Sequence, residues 1–238
     1  MNLLEAMRIA LASLWANKLR SILTLLGIVI GVAAVIAVVT FINGLNAYVA
    51  EKIATLGSDV VSISKSPNFI GDYDTWQKIQ RRKDFKRDDY EYLKETCQKC
   101  VDVAASRSAT SVVKAGTESS NNTTIRGWTA SMIDVADQEI TSGRAITDID
   151  DQTASKVAIV GTDIVENLLG DIDPVGQEIR VQGENYTVVG VGKKQGKTLG
   201  QSQDNWVALP LSSYERQFGT NGSITLRAKA GGSGDALQ

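Results

Sequence analysis

Three short stretches of this sequence carry residue types and spacings that could do chemistry. The first is Val189-Gly190-Val191-Gly192-Lys193-Lys194-Gln195-Gly196-Lys197-Thr198, which ends like a phosphate-binding loop. Such a loop needs its first glycine five positions before the glycine of Gly-Lys-Thr, and that position is Val191. The alternative spacing, Gly190-x-Gly192-x-x-x-Gly196, approaches a dinucleotide fingerprint, but the residues that follow, Gln201-Ser202-Gln203-Asp204, read as loop rather than helix. A glycine-rich hairpin or connection is expected here, with no bound nucleotide. The second stretch is Cys97-Gln98-Lys99-Cys100, the only cysteine pair. Zinc would need two more ligands nearby, and a thioredoxin-type motif belongs at a strand-to-helix junction. A small structural disulfide between Cys97 and Cys100 is the expectation in an oxidising compartment. The third is Asp148-Ile149-Asp150-Asp151, which lacks the glycine and closing glutamate of a calcium loop and reads as an exposed acidic turn. Asn122-Thr123-Thr124 fits a glycosylation sequon, which matters only in a glycosylating host.

Histidine is absent from all 238 residues. That removes histidine-based triads, most zinc sites and the usual acid/base group near neutral pH. Carboxylate or lysine chemistry stays open, but no constellation for it stands out. With 25 basic and 27 acidic residues, a net charge of −2 gives no footprint for nucleic acid.

The element that must position everything else is the uncharged run between Arg20 and Glu51. A bilayer core of about 30 Å needs about 20 apolar residues in a helix, and residues 22–42 supply them. A transmembrane helix is predicted over residues 21–44. A cleaved signal peptide would have a shorter apolar region and a small-x-small site, so an uncleaved anchor is expected. Arg8, Lys18 and Arg20 precede the run against a single acid, Glu5, which places the N-terminus in the cytoplasm and the rest outside. Residues 1–20 form an amphipathic segment, with Leu4, Met7, Leu11, Leu14 and Trp15 on one stripe, suited to a membrane surface or to another protein.

Inside the run, Gly27 and Gly31 form a G-x-x-x-G pair, and Ala33 and Ala37 repeat the spacing, so helix packing in the membrane is expected. Beyond Gly44 the apolar stripe Leu45, Val49, Ile53, Leu56 continues at helical spacing, predicting a stalk helix over residues 45–57. Residues 59–64 read as a strand. Residues 67–86 are polar and aperiodic and are taken as a loop or mobile insertion. A helix over 87–97 and a strand from Val101 follow. A hairpin spans roughly 110–126, a short helix and turn lie in 131–143, and 157–160 is a buried strand. A capped helix occupies 162–169, a second hairpin turns at Gly183, 206–209 is a strand, 212–218 a helix and 223–228 the last strand. The tail 230–238 reads as flexible. The exterior is therefore α+β.

The block Asn17-Lys18-Leu19-Arg20-Ser21-Ile22-Leu23-Thr24-Leu25-Leu26-Gly27-Ile28-Val29-Ile30-Gly31 resembles the N-terminal signature of MacB-type ABC-transporter permeases, within the FtsX-like superfamily. Further likenesses run through the exterior: Leu56-Gly57-Ser58-Asp59, Gly143-Arg144, Val157-Ala158-Ile159-Val160-Gly161, Asp173-Pro174-Val175-Gly176, Val188-Val189-Gly190-Val191 and Val207-Ala208-Leu209-Pro210-Leu211. The resemblance implies a two-lobed periplasmic domain on the stalk. Residues 58–108 and 205–229 would form a porter-like α/β lobe, and 109–204 a smaller β-rich lobe inserted in it. Three more membrane helices follow this domain in the family, so the resemblance implies a truncated product or fragment.

It also implies a function. The permease would sit in the bacterial inner membrane and pair with a second copy or paralogue. ATP would bind a partner ABC ATPase subunit rather than this chain. Motion would pass along the stalk to the periplasmic lobes, driving export of antibiotics, peptides or lipoproteins with a periplasmic adaptor. Two rivals stand beside this reading: a single-pass anchored binding or sensor module, and an anchored hydrolase using carboxylates alone.

Overall fold

The computed structural model describes residues 15–55, 59–66, 73–198 and 200–231, together with Glu5, Met7, Ile9 and Ala12. It divides into two compact units, residues 1–55 and residues 56–238.

The first unit is dominated by one helix, α1 (Lys18–Thr55). Its stretch Lys18–Asn46 has a mean hydropathy of 3.0 and is long and apolar enough to cross a bilayer. Thr24 is polar in this span, and its hydroxyl donates to the Arg20 and Ser21 carbonyls at 3.0 Å, so its one donor is satisfied within the helix. No break separates the apolar segment from the residues beyond Gly44: one helical backbone carries both.

The second unit is built on a nine-stranded mixed sheet. In chain order it contains β1 (Val60–Ile63), α2 (Tyr73–Gln80), α3 (Arg87–Thr96), β2 (Cys100–Ala115), β3 (Glu118–Trp128), α4 (Met132–Val135), β4 (Ile140–Gly143), α5 (Asp148–Gln152) and β5 (Val157–Val160). Then come α6 (Thr162–Ile164), which runs into a wider π-helical turn (Val165–Leu169), β6 (Glu178–Val181), β7 (Glu184–Gly192), a small β8–β9 hairpin (Lys197–Thr198, Gln201–Ser202), β10 (Trp206–Pro210), α7 (Leu211–Phe218) and β11 (Thr225–Ala230).

Strand order is β1-β11-β2-β3-β10-β5-β7-β4, and β6 pairs with both β2 and β7. The strands β2-β3-β10-β5-β7-β6 therefore close a six-membered ring, completed where Val113 meets Val181 and Lys114 meets Arg180. Alternation along the strands sends Ile125, Val160, Ile179, Val181, Val188, Val207 and Leu209 inward, where Leu168, Leu169 and Tyr214 join them in one buried cluster. The N-terminal half of β2 leaves the ring and pairs with β11, which pairs with β1. There Val103, Ala105, Leu211, Ile224 and Leu226 pack with Tyr90 of α3. Residues of opposite parity, Ala104, Trp128, Ile159, Trp206 and Ala208, face the other way and are covered by Met132 and Val135 of α4.

Two expectations change at this level. Residues 67–86 are not loop throughout, because 73–80 form α2, whose Ile79 is 2% exposed. Among the side chains described, 76–80, Ile79 alone is buried, which gives little periodic signal, and burial against the domain is what holds the helix. The strand from Val101 and the first strand of the expected hairpin are a single strand, β2, of 16 residues. Its partner β3 begins at Glu118, so the turn is tight, at Gly116 (φ +57°) and Thr117. Register slips between Ser111 and Val113 at a bulge. The second hairpin turns where expected, with Gln182 and Gly183 both at positive φ (47° and 92°), as a two-residue turn matched to strand twist requires.

Candidate functional site

On α1 the small residues leave the helix surface open. A Cβ built on Gly27, Gly31 or Gly44 would meet nothing within 4 Å. At about 100° per residue, Gly27 and Gly31 share one face, while Ala33 and Ala37 lie about 240° further round. The helix thus offers two separate lines of close approach rather than one. Lys18 and Arg20 are exposed in its first turn, and Leu45 is exposed near the end of the apolar part. Val49 and Ile53 lie within α1, and only their backbone is described. Arg8 and Leu56 fall outside the described residues.

In the second unit the glycine-rich stretch is organised around a carboxylate. Asp204 is 1% exposed, and its side chain accepts hydrogen bonds from the backbone N–H of Gln195 (2.8 Å) and Gly196 (2.7 Å). The two amides that could have cradled an anion hold a residue of the same chain. Cys97 and Cys100 form a disulfide that ties the end of α3 to the start of β2.

The acidic stretch is not a turn but α5. Thr147 caps it: the Thr147 hydroxyl accepts from Asp150 N–H, and the Asp150 carboxylate accepts from Thr147 N–H at 2.9 Å and from its hydroxyl at 2.7 Å. Arg144 donates twice to the same carboxylate, at 2.6 and 3.2 Å. The Arg144 guanidinium, helped by the Thr147 donors, holds the Asp150 carboxyl well below its ordinary value, at about 2. Gly143 precedes this arginine at φ +80°, and a Cβ there would lie 2.1 Å from the Val189 carbonyl oxygen. Among the described residues no cluster of three or more acids or cysteines could hold a metal ion.

Sequence reasoning did not find the largest ionic arrangement. Asp151 accepts from Ser212 N–H (2.7 Å) at the start of α7 and pairs with Arg87 (2.5 Å) on α3. Arg87 also donates to the Ser212 hydroxyl (2.7 Å) and lies 3.8 Å from Glu215 on α7. Glu215 pairs through its other oxygen with Arg107 Nε of β2 (3.2 Å), an ion pair whose angle falls outside hydrogen-bond geometry. Arg107 reaches the Asn221 carbonyl with Nη1 (2.9 Å). Arg107 stands on β2 between Val103 and Ala105, which belong to one apolar cluster, and Ala109, which packs on the other. The network therefore binds α3, α5, α7 and β2 at the seam between two cores. No local motif marks it, since its four charged members are spread over 128 positions of chain, from Arg87 to Glu215.

On the opposite side of the same strands, Arg126 lies over the rings of Trp206 (5.1 Å) and Trp128 (5.8 Å), which are themselves 5.2 Å apart. Burial, with the like charge of Arg227 second, pulls the Arg126 guanidinium down to about 10. Arg227 contacts the Met132 sulfur at 3.2 Å, and burial lowers it too.

A family model described as the MacB-like periplasmic core domain matches residues 21–238. The macrolide export ATP-binding/permease protein MacB of Neisseria meningitidis is 29% identical over 235 residues, covering 94% of this chain and 34% of that protein. The pyoverdine export ATP-binding/permease protein PvdT of Pseudomonas aeruginosa is 28% identical, covering 92% and 32%. The chain thus spans about a third of the length of these curated relatives. In fold, the domain is similar to the periplasmic region of MacB from Actinobacillus actinomycetemcomitans, with a TM-score of 0.62 at 18% identity, covering 76% of this chain and 78% of that one. It is similar also to the extracellular domain of the ABC-type transporter YknZ from Gram-positive bacteria, with a TM-score of 0.56 at 23% identity, covering 65% and 77%.

Proposed function

The chain belongs to the MacB-like periplasmic core domain family, the extracytoplasmic domain of membrane-anchored ABC-transporter permeases, and from that premise we propose that it relays the motion of a partner ATPase to its outer domain. The observation that carries this reading is the continuity of α1, which leads from the bilayer-length segment ending at Asn46 onward to Thr55 without a break. A helix keeps every interior backbone hydrogen bond, so displacement at one end travels as a rigid-body shift instead of being lost in a hinge. Lys18 and Arg20, with Arg8, would hold the N-terminal side in the cytoplasm of a bacterial inner membrane. Gly27 with Gly31, and Ala33 with Ala37, would seat the helices of a second permease copy or of the same permease. Leu45, Val49, Ile53 and Leu56 would be the stripe along which two stalks move.

In this reading the outer domain divides into a lobe of residues 58–108 with 205–229 and an inserted lobe of 109–204, joined where Asp151 of the inserted lobe meets Arg87 and Ser212. ATP acts on the partner subunit, and an adaptor completes the export path. The relatives' names, macrolide export and pyoverdine export, support export of antibiotics or other small molecules, with peptides or lipoproteins as further candidate cargo. The test uses the full-length permease with its ATPase in proteoliposomes. Asn46→Pro removes a backbone donor in the helix interior, at a cost of about 3 kcal/mol to local helicity. Export should fall at least about tenfold while ATP hydrolysis continues, the signature of lost coupling rather than lost catalysis. Export unchanged in that variant, and in Leu45→Asp with Ile53→Asp, would sink the proposal.

A further inference from the structure

The outer face of β11, β2 and β3 carries two arginines without an acidic partner among the described residues. Arg126 and Arg227 take part in no ion pair, although nine ion pairs are formed elsewhere in the described structure. The contrast with the next cation on the same face is direct: Lys229 is held by Asp137 at 2.6 Å and by the Asp134 carbonyl at 2.8 Å. Both guanidiniums are half-buried, so each has lost part of its hydration without gaining a counter-charge. Around them lie Ser106, Ser108, Thr124 and Thr225, hydroxyls that make no side-chain hydrogen bond among the described residues. The floor is rigid, because Arg126 rests on the Trp128 and Trp206 rings and its stem has little freedom left to lose on binding.

We propose that this face docks an acidic segment of a partner polypeptide, with one carboxylate on Arg126 and another on Arg227. The planar fork of a guanidinium matches a carboxylate with two parallel hydrogen bonds, and an aromatic platform leaves that fork free at its edge. Arg126 is opposite Ser108, and Arg227 is opposite Ala104, with β2 between them. Their backbones are thus about 10 Å apart across the sheet and four residues, about 13 Å, apart along it. Two carboxylates borne on one extended chain, four residues and about 13 Å apart on the same side, match that displacement, which one small oxyanion cannot span. The hydroxyls offer neutral donors and acceptors to the backbone of such a segment. The inference goes beyond the transport reading, and no ATPase enters its test, so either can fail alone.

The test uses the full chain in neutral detergent and a fluorescein-labelled dodecapeptide of alternating Glu and Ser, followed by anisotropy at low salt. The wild type should bind it, and a Gly-Ser peptide of equal length should not bind. Arg126→Gln with Arg227→Gln should weaken binding at least about tenfold, whereas Lys114→Gln with Arg180→Gln, on the far edge of the ring, should leave it unchanged. Arg126→Lys with Arg227→Lys keeps the charge but loses the fork, and should weaken binding by an intermediate factor. In the unmutated protein the peptide should protect Arg126 and Arg227 from phenylglyoxal, which reads the contact even where a variant misfolds. Equal affinity in the Gln pair, equal loss in the Lys114/Arg180 pair, or no protection would overturn the proposal. Phosphatidylglycerol vesicles that bind through the two arginines while the peptide does not would also overturn it, in favour of lipid.

Discussion

Arg107 and Arg126 sit almost side by side on paired strands, Arg107 opposite Gly127 and Arg126 opposite Ser108, yet they live in different electrostatic surroundings. The pleat turns them to opposite faces. On the inner side Arg107 meets Glu215, which also reaches toward Arg87, and Arg87 is clamped by Asp151. On the outer side Arg126 meets two tryptophan rings and another arginine. The inner set is architecture: it joins three helices to a strand and leaves little charge over. The outer set rests on aromatic rings and a thioether sulfur, with no acidic counter-charge among the described residues.

Breaking the inner set should have the larger effect. Glu215→Leu leaves Arg107, whose side chain is 6% exposed, without its counter-charge, at a cost of about 3 kcal/mol. For a domain of this size that corresponds to a melting temperature lower by roughly 6–12 °C in calorimetry. Replacing both partners, Arg107→Met with Glu215→Leu, should recover most of the loss, because no buried charge is then unpaired. If the double variant melts as low as the single one, the network contributes through packing and not through charge.

The Arg144–Asp150 pair sharpens the comparison through pH. Asp150 has a folded-state pKa of about 2, below its ordinary 3.8, so it stabilises the fold above about pH 4. That contribution is lost as pH falls through 4 toward 2. Asp150→Asn should lower stability at neutral pH and flatten the acid limb of the stability profile in that window, read by circular dichroism. An unchanged acid limb would mean that Arg144 does not carry the effect.

The smallest effect on stability should come from the outer set. Arg227→Gln relieves like-charge repulsion and breaks no ion pair, so its change should stay within about 0.5 kcal/mol. Arg126→Gln loses contact with two rings in a partly desolvated setting and should cost about 1–2 kcal/mol, still below Glu215→Leu. A loss as large as that of Glu215→Leu would make the outer arginines structural and erase the distinction between the two faces.

Several of these features were legible without the fold. The alternation Ile224, Leu226, Ala228 against Thr225, Arg227, Lys229 already places two of the cations on one polar side of a strand. Asp88 and Asp89 announce the start of α3, and the Asp89 carboxylate does accept from Lys86 N–H at 2.7 Å. Asp148, Asp150 and Asp151 were visible as a cluster, but not as a capped helix whose third member is pledged to Arg144 and whose last reaches Arg87. Helix α2 was illegible, because Ile79, the one deeply buried residue among its described side chains, does not make a pattern. The bulge at Ser111–Val113 disguised β2 as two strands by interrupting its alternation.

By itself the sequence determined what depends on near neighbours. The charge-free run sets the membrane segment, because length and hydropathy suffice for a helix in lipid. Alternation sets which strand residues are buried, and Gln182-Gly183 sets a hairpin. Only the tertiary structure decided what depends on partners far along the chain. It closed the six strands into a ring through Val113 and Val181, gave Arg107 its glutamate, and left Arg126 and Arg227 without an acidic partner among the described residues. The physical reason is that a charge is satisfied or stranded by what lies within a few ångströms in space, and a sequence records only what lies within a few positions along the backbone.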